Sequence, residues 1–390
     1  MAMSISPITR GAALMFLAVF LCPPRPAAAQ ATRAPNGALL VNPGAGELGS
    51  LVNAAIAQLP TAGGEVDLPP GAYSFSTPIL ITDRTVILRC GASATSNVTV
   101  HGTTRLKFTG STSGAVLTLT GPGTTGSQII GCMLGNSGRA SLGILIDHGA
   151  NSVLLDNVVL DDVNVPFSVA GIQIGSHATW PVDVMLRRVV VRRAGPVGLK
   201  IMHVAAHAVI IDSRIFENSL HNVEVGGTGG GEQAISVHFY GSTIESFPGL
   251  SSFVIYQGES VSFDGGYCEQ GEAAASGQQE YCFDIPSNAV FARNISITHT
   301  TMRSVVGTPS RAAVHSGFSG SQLNLGDNHM AGYANSGYLV ENDGAQKIFA
   351  YGNDLQFSGA QLVTGSAGLR NVVHLGNTAA GVLIPSYLGR

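Results

Sequence analysis

Charged residues are scarce in this 390-residue chain, at 11% of the sequence, where an average domain carries about 25%. The formal net charge is −4 and no basic stripe runs along the chain, so the composition argues against nucleic acid as a partner. Cysteine and histidine never cluster at metal-ligand spacing, and we therefore predict no bound metal and no cofactor. A calcium site is left open, although no dense carboxylate motif supports one.

Helical periodicity is scarce after residue 60, and a strand-like block takes its place. The block reads apolar–x–apolar, then a Gly, Asn, Ser or charged break, then apolar again. The shortest steps between breaks, such as 353 to 377, are 24 residues and the longest, 266 to 300, is 34. A fixed minimum with longer steps is typical of stacked coils with variable loops, and the 50 glycines suit their many turns. The breaks, predicted to be turn or ladder positions, are Cys132, Asn157, Arg188, Ser213, Ser242, Gly266, Thr300, Asn328, Asn353 and Asn377.

The first 63 residues do not follow this strand-like repeat. Met1–Ala29 combines Arg10, an apolar run too short for a membrane span, and three small residues at 27–29, which is typical of a secretory signal peptide. We therefore expect a secreted or periplasmic protein with no membrane span in the mature chain. The predicted divisions are 1–29 for the signal peptide, 30–63 for an N-terminal segment, 64–377 for the solenoid and 378–390 for a C-terminal tail.

An amphipathic helix is predicted just before the solenoid. Its apolar residues follow i, i+3, i+4, i+7 spacing, and Pro60 ends it. A solenoid end exposes apolar core and unpaired strand edges, so a helix laid across that end would act as a cap. The residues of its apolar face are Leu48, Leu51, Val52, Ala55, Ile56 and Leu59.

Export would permit disulfide bridges among the four cysteines that follow the signal peptide. Cys268 and Cys282 bracket the polar loop 269–281, and a bridge between them would restrict that loop. Two unpaired thiols are the alternative. Cys90 and Cys132 lie in apolar strand blocks, which predicts simple burial.

The opening of the mature chain resembles a known superfamily. The helix is followed by Gly-Gly-Glu-Val-Asp-Leu-Pro-Pro-Gly-Ala-Tyr at 63–73 and by the apolar strands 79–81 and 86–88. Together with the Asn-rich coils, this is similar to the pectate-lyase-like superfamily over roughly residues 44–377. The resemblance implies an all-β fold, a single-stranded right-handed parallel β-helix with an N-terminal capping α-helix. Because lyases, hydrolases, epimerases, tailspikes and adhesins share that scaffold, it implies no single activity.

The catalytic motifs of the better-known branches are mostly missing. The polygalacturonase pattern is represented by Asp161-Asp162 and a faint echo at 198–201, without its Gly-His-Gly. The Asp-Pro-His-Asp of mannuronan epimerases and the Trp-x-Asp-His of calcium-dependent pectate lyases are absent. The chemistry must therefore be sought in the register of the coils.

A second short strand precedes each break, and its middle residue should face outward because side chains alternate along a strand. Stacking would place these middle residues in one column, with neighbours about 4.8 Å apart. In the resembled superfamily this face, with its flanking loops, usually carries the substrate groove. The column consists of Leu145, Gln173, Lys200, Glu224, Val254, Asp284 and His315.

We expect this face to bind a polysaccharide, and the leading hypothesis is a lyase that cleaves an acidic glycan by β-elimination. Lys200 with Arg192 or Arg193 would neutralise the uronate carboxylate, and His221 or Lys200 would remove the proton at C5. Trp180, the one tryptophan of the chain, would stack on a sugar ring. The predicted catalytic residues are Lys200, Glu224, His221 and Arg193. The predicted substrate-binding residues are Gln173, Trp180, Arg192 and Asp284.

Other interpretations stay open. Lys200 beside Glu224 also fits an ordinary cross-strand ion pair on an exposed face. For the whole chain, the second hypothesis is a non-catalytic glycan-binding or surface structural protein. The third is a glycoside hydrolase, which needs two carboxylates across one groove. Its candidates are Asp161, Asp162, Glu217 and Glu224. The sugar, the linkage and the oligomeric state are left undetermined.

Overall fold

The computed structural model describes residues 31–91, 104–176, 180–203, 206–229, 231–245, 251–270, 281–304, 312–333, 337–356 and 361–388. The predicted signal peptide, His177, the side chain of Asp162 and most of the loop 269–281 lie outside this part. The described chain forms a parallel β-solenoid with three long sheets, one α-helix and two short 3₁₀ helices, Pro43–Ala45 and Pro122–Thr124. Within these ranges no helix is long and apolar enough to cross a membrane.

The three sheets, named A, B and C, follow the solenoid from end to end, and a typical coil contributes one strand to each. Sheet A consists of Ala31–Arg33, Leu39–Val41, Gly64–Leu68, Val86–Cys90, Gln128–Ile130, Leu154–Asp156, Val182–Arg187, Ala206–Ile211, Ala234–Tyr240, Gln257–Asp264, Phe291–Arg293, Ile295–Thr298, Gln322–Gly326, Lys347–Tyr351, Val372–Leu375 and Tyr387–Leu388. Sheet B consists of Ala72–Phe75, Arg105–Phe108, Met133–Asn136, Val159–Val163, Val190–Arg192, Arg214–Phe216, Thr243–Glu245, Tyr267–Gln270, Thr301–Ser304, His329–Ala331, Asp354–Leu355, Thr378–Ala379 and Val382–Leu383. Sheet C consists of Ile79–Ile81, Ala115–Thr120, Leu142–Asp147, Ala170–Ile174, Val197–Ile201, His221–Val225, Phe253–Ile255, Phe283–Ile285, Ala312–Ser316, Tyr338–Asn342 and Gln361–Thr364.

One continuous core fills the inside of the coils. Alternation turns every second strand residue inward, and in sheet C this stacks Ile144, Ile172 and Leu199 at 0% exposure. Phenylalanines take over further along, where the rings of Phe253 and Phe283 lie 5.5 Å apart on successive coils. The core therefore holds each coil against the next while the outward residues stay available for other roles.

The predicted breaks form the turn from sheet A to sheet B. Asn353 Oδ1 accepts hydrogen bonds from the backbone N and the Nδ2 of Asn328 at 3.1 and 3.0 Å, and Asn353 Nδ2 donates to the carbonyl of Leu325 at 2.9 Å. Asn377 bonds Asn353 in the same way on the next coil. Asn157 is not part of this series of bonded asparagines. It occupies the left-handed turn position (φ 55°), one residue before the position that Asn328 and Asn353 hold on their coils.

The α-helix extends over Leu48–Gln58 and packs on first-coil strands of all three sheets. Glu47 caps it by accepting from the backbone N of Ser50 at 2.7 Å, and it also binds the N–H groups of Ser76 and Thr77. Burial raises the pKa of Glu47, but these backbone hydrogen bonds outweigh it and lower the pKa from 4.5 to about 2. The helix thus lies where a cap is needed, and whether folding requires it stays a prediction.

The cysteines form two bridges. Cys268 is joined to Cys282, with their Cα atoms 5.9 Å apart. Cys90 is joined to Cys132, with Cα atoms 5.0 Å apart, so the expectation of two simply buried thiols was wrong. The residues are 42 apart in sequence but come from adjacent coils, a neighbourhood that sequence separation hides. Residues 378–388, predicted as a tail, contain short strands that pair partly antiparallel.

Candidate functional site

The predicted column exists on the outer face of sheet C. Strand pairing places Gln173 beside Lys200, and Lys200 beside Glu224. It continues through Val254 to Asp284 and His315. One more coil extends the column to Glu341.

The column is recessed, although its residues face away from the core. Gln173 is 8% exposed, Glu224 7% and Glu341 8%. By contrast, Phe349 on the outer face of sheet A is 40% exposed. Polar groups are rarely buried without partners, so we expect neighbouring groups to cover and bind these side chains. We call the recessed strip that they form the groove.

Lys200 and Glu224 form the first matched pair. The Nζ of Lys200 lies 2.7 Å from Oε1 of Glu224, and the two side chains are 20% and 10% exposed. The ion pair that the sequence allowed is therefore present, but it lies in a recessed position and not on an exposed face. The pair holds the carboxylate in a defined orientation at the middle of the groove.

Asp284 and His315 form the second pair, two coils further along. His315 Nδ1 lies 2.7 Å from Asp284 Oδ1, and the Oγ of Ser251 donates to Asp284 Oδ2 at 3.2 Å. Burial lowers the pKa of His315, but its hydrogen bond to Asp284 and the charges of Asp284, Glu341 and Asp343 outweigh burial and raise the pKa above 6.5. The second pair therefore keeps a proton in the groove close to neutral pH.

Two tyrosines complete the groove. The ring of Tyr281 stacks on His315 with centroids 4.7 Å apart, and its hydroxyl donates to Glu341 Oε2 at 2.7 Å. Burial, with the hydrogen bond to Glu341, raises the pKa of Tyr281, which keeps its proton. Burial first, and then the charges of Glu224 and Asp284, raise the pKa of Tyr256. Tyr256 thus lies within electrostatic reach of both carboxylates.

His221, a predicted base, binds a backbone carbonyl on the neighbouring coil. Its Nδ1 lies 2.9 Å from the carbonyl oxygen of Ser251, and the residue is 9% exposed. Strand pairing puts it beside Val197, in a neighbouring apolar column. The structure thus gives His221 a backbone partner, and among the described residues no hydrogen bond joins it to Lys200.

The two arginines of the predicted site belong to sheet B and the turn after it. The Nε atoms of Arg192 and Arg193 both lie 2.7 Å from Oε2 of Glu217. Arg192 also lies 3.8 Å from Asp161 and stacks over the ring of Phe216. These cations are neutralised on another face, and the structure does not join them to Lys200.

Trp180 lies beside the start of the column. It is 51% exposed, and its ring centroid is 5.2 Å from that of His203. His203 Nδ1 lies 2.8 Å from the carbonyl of Ser176, and Gln173 donates to the carbonyl of Gly175 at 2.9 Å. An exposed indole beside polar groups suits a sugar ring, as predicted, and its role stays a prediction.

Sequence reasoning missed Tyr256, Tyr281, Glu341 and Asp343. Continuing the apolar–x–apolar register by one coil, through Leu339, Val340 and Glu341, would have found one of them. The tyrosines follow no repeat, so no pattern marked them. No group of three or more His, Cys, Asp or Glu suited to a metal ion occurs among the described residues.

Comparison with known proteins bears on the fold. No family model matches the chain, and no curated protein matches it either. Solved structures do match. The A-module of the mannuronan C-5 epimerase AlgE4 of Azotobacter vinelandii is 14% identical, with 91% of this chain and 94% of that one covered and a TM-score of 0.53. The parallel β-solenoid of this chain is therefore a fold that it shares with this module.

Two further structures agree. DFA-IIIase from Arthrobacter chlorophenolicus A6 is 13% identical, with 87% and 83% of the two chains covered and a TM-score of 0.53. The Agl-KA catalytic domain is 13% identical, with 91% and 67% covered and a TM-score of 0.56. The resemblance found in the sequence is thereby confirmed for the fold. At such identities the activity has to be argued from the groove itself.

Proposed function

We propose that the protein is a carbohydrate-active enzyme that cleaves a glycosidic bond in the groove over sheet C by acid–base chemistry. The observation that carries this proposal is the pair of recessed carboxylates, Glu224 and Asp284, on one column with Val254 between them. Two strand spacings put their backbones roughly 9.5 Å apart, near the upper end of the ~6.5–9.5 Å between the carboxyl groups of inverting glycoside hydrolases. Kinship of fold with a mannuronan C-5 epimerase supports a glycan ligand.

The two carboxylates differ in their surroundings, which suggests two roles. Lys200 holds the Glu224 carboxylate in a fixed orientation, with its Nζ 2.7 Å from Oε1, as a general base that activates water requires. Asp284 is bonded to His315, whose raised pKa keeps a proton available 2.7 Å away. The Asp284–His315 pair is therefore the proposed general acid: His315 gives its proton to the leaving oxygen, and the Asp284 carboxylate holds the imidazole in place.

The same contacts weigh against the β-elimination favoured by the sequence. A lyase needs a cation free to meet the uronate carboxylate. Lys200 already binds Glu224, and both Arg192 and Arg193 bind Glu217. A glycoside hydrolase thus becomes the first hypothesis, a lyase the second, and a binding module the third.

The deciding experiment is incubation with a panel of neutral and acidic polysaccharides. Hydrolysis is expected to yield new reducing ends without the ultraviolet absorbance of unsaturated products, and NMR of the first product should show inversion at the anomeric carbon. Reducing ends with absorbance would establish a lyase instead. If neither signal appears with any glycan, a non-catalytic binding module is the one hypothesis that remains.

Variants then assign the residues. Glu224→Gln and Asp284→Asn should each lower turnover by about 10²-fold or more, the usual contribution of a general acid or base. Glu245→Gln is the matched control, because Glu245 also pairs with a cation, Arg214, but on sheet B. Equal losses in all three variants would place the chemistry elsewhere.

A further inference from the structure

A second surface feature lies on the outer face of sheet A. It is a cleft of about 400 Å³ built by strands of three successive coils, Ile295–Thr298, Gln322–Gly326 and Lys347–Tyr351. It belongs to a different sheet from the groove over sheet C. Its lining residues are Asn294, Ile295, Ser296, Gln322, Leu323, Asn324, Lys347 and Phe349.

The cleft arises from a step in the sheet. Left-handed backbone bends recur at this height of sheet A as far as Asn294 (φ 53°), whereas Gln322 and Lys347, at the same height on the next two coils, have none. The strand before this bend, Phe291–Arg293, pairs with Gln257–Asp264 and with no other described strand, whereas the strand after it continues the sheet. The surface therefore drops at Asn294, and the fold itself forms the depression.

One cation, Lys347, lines the cleft, and a second, Arg293, precedes the lining residue Asn294 in the chain. The ammonium of Lys347 lies 4.5 Å from the ring centroid of Phe349, and the guanidinium of Arg293 lies 4.8 Å from that of Phe291. In the described part of the chain no ion pair joins either cation to a carboxylate. Seven described lysines and arginines do bind one, Lys200 among them. The cleft is therefore positively charged in a chain whose net charge is −4.

The remaining lining groups are those that bind sugars. Phe349 offers an aromatic ring that is 40% exposed. Asn324 and Ser296 stand in the same outward column as this ring. They are joined by one long hydrogen bond of 3.4 Å, from Asn324 Nδ2 to Ser296 Oγ, so both keep capacity for hydroxyl partners. A flat ring, amides and a hydroxyl side by side match the apolar face and the hydroxyl edge of a pyranose.

We propose that this cleft is a non-catalytic binding site for an acidic oligosaccharide. A ligand carboxylate meets Lys347, with Arg293 close by, and draws the ammonium away from Phe349. The cation–π contact given up at an exposed site is weaker than the charge-assisted hydrogen bond gained. The freed ring face then stacks on the sugar, while Asn294 and Asn324 bind its hydroxyls. This assignment is independent of the proposed glycosidic cleavage.

Titration calorimetry of the full chain with defined acidic oligosaccharides tests the site. The probes are oligogalacturonate, oligomannuronate and hyaluronan fragments, and the Glu224→Gln, Asp284→Asn double variant serves as background to prevent cleavage. Lys347→Gln and Phe349→Ala should each weaken binding about tenfold or more, and added salt should weaken it further. Tyr351→Ala is the matched control, because Tyr351 is an exposed aromatic of the same strand outside the cleft lining.

Four results would overturn the proposal. The first is no binding of any acidic probe, and the second is equal binding by the Lys347 and Phe349 variants and the wild type. The third is equal affinity for neutral cello-oligosaccharides and for acidic probes, which would show that the charge of Lys347 does not contribute to binding. Full competition by inorganic phosphate or by polyglutamate would reduce the cleft to a general anion site. Because the background variant lacks the proposed catalytic carboxylates, failure of the cleavage hypothesis would leave this measurement unaffected.

Discussion

At the scale of single residues, burial changes what the Lys200–Glu224 pair means. An exposed ion pair contributes about 0–1 kcal/mol because water and salt screen it. Glu224 is only 7% exposed, so its carboxylate depends on Lys200 for the interaction that water would otherwise supply. The same contact that positions the proposed base therefore also stabilises the fold.

Lys200→Ala tests both consequences. Turnover on a confirmed substrate should fall about 10²-fold or more because Glu224 loses its orienting partner. The free energy of unfolding should fall by about 1–3 kcal/mol because a recessed carboxylate is left unpaired. Urea denaturation and initial rates measure the two effects. The control is Arg214→Ala, whose pair with Glu245 is 34% and 28% exposed and should contribute about 0–1 kcal/mol. Near-wild-type turnover of Lys200→Ala would make the pair purely structural.

His315 should make stability depend on pH. Its folded-state pKa is raised above 6.5 because the hydrogen bond to Asp284 and the nearby carboxylates outweigh its burial. The folded state therefore holds its proton more tightly than the unfolded state, and the stabilisation is complete below pH 6.5. It is lost as the pH rises above 6.5 through the raised pKa.

His315→Asn should accordingly destabilise the protein more at pH 5.5 than at pH 9, as measured by denaturant unfolding at both values. His238 provides a control of opposite sign, because burial first, and then the charge of His207, lower its pKa. Removing His238 should relieve a destabilisation that grows as the pH falls. An equal effect of His315→Asn at both pH values would contradict the proposed proton in the groove.

At the scale of elements, the turn from sheet A to sheet B shows how one position repeats across coils. Asn328 donates to Asn353, and Asn353 donates to Asn377, each through both its backbone N–H and its side-chain amide. Their side chains are 0–1% exposed, so water cannot replace a lost partner. The ladder therefore fixes the spacing of coils at the end of the solenoid.

Asn353→Ala should lower the free energy of unfolding by about 3 kcal/mol or more. The variant leaves the N–H of Asn328 and the carbonyl of Leu325 without their side-chain partner, and each unsatisfied buried group costs about 1–3 kcal/mol. The Oδ1 of Asn377 loses one of its two donors and keeps the backbone N–H of residue 353. Asn324→Ala, which removes one long, partly exposed hydrogen bond, should stay within about 0.5 kcal/mol. Thermal and urea unfolding of both variants decide the question, and equal small effects would show that the ladder adds little.

At the scale of the whole molecule, a solenoid must protect its ends. The helix Leu48–Gln58 covers first-coil strands with Leu48, Leu51, Val52, Ala55 and Ile56. At the other end the antiparallel pair Thr378–Ala379 and Val382–Leu383 turns the chain back on itself. Both arrangements reduce the parallel strand edges open to another chain.

Deleting Leu48–Gln58 should expose the core of the first coil and cause aggregation, detected by light scattering and by dye binding to apolar surface. The control is removal of Ala31–Arg33, which has partly or fully exposed side chains at the same end. A soluble, cooperatively folded helix deletion would show that the helix is not a required cap.

The sequence by itself determined the repeat, the β-solenoid, the capping-helix segment and the alignment of Lys200, Glu224, Asp284 and His315. These follow from strand alternation and from a repeat length, which are local properties of the chain. Only the tertiary structure decided that the column is recessed, and that Glu217 neutralises Arg192 and Arg193. It also decided that Cys90 meets Cys132, and that Tyr281 covers His315. The physical reason is that burial and side-chain partners depend on turns and neighbouring coils, whose lengths and contacts follow no repeat.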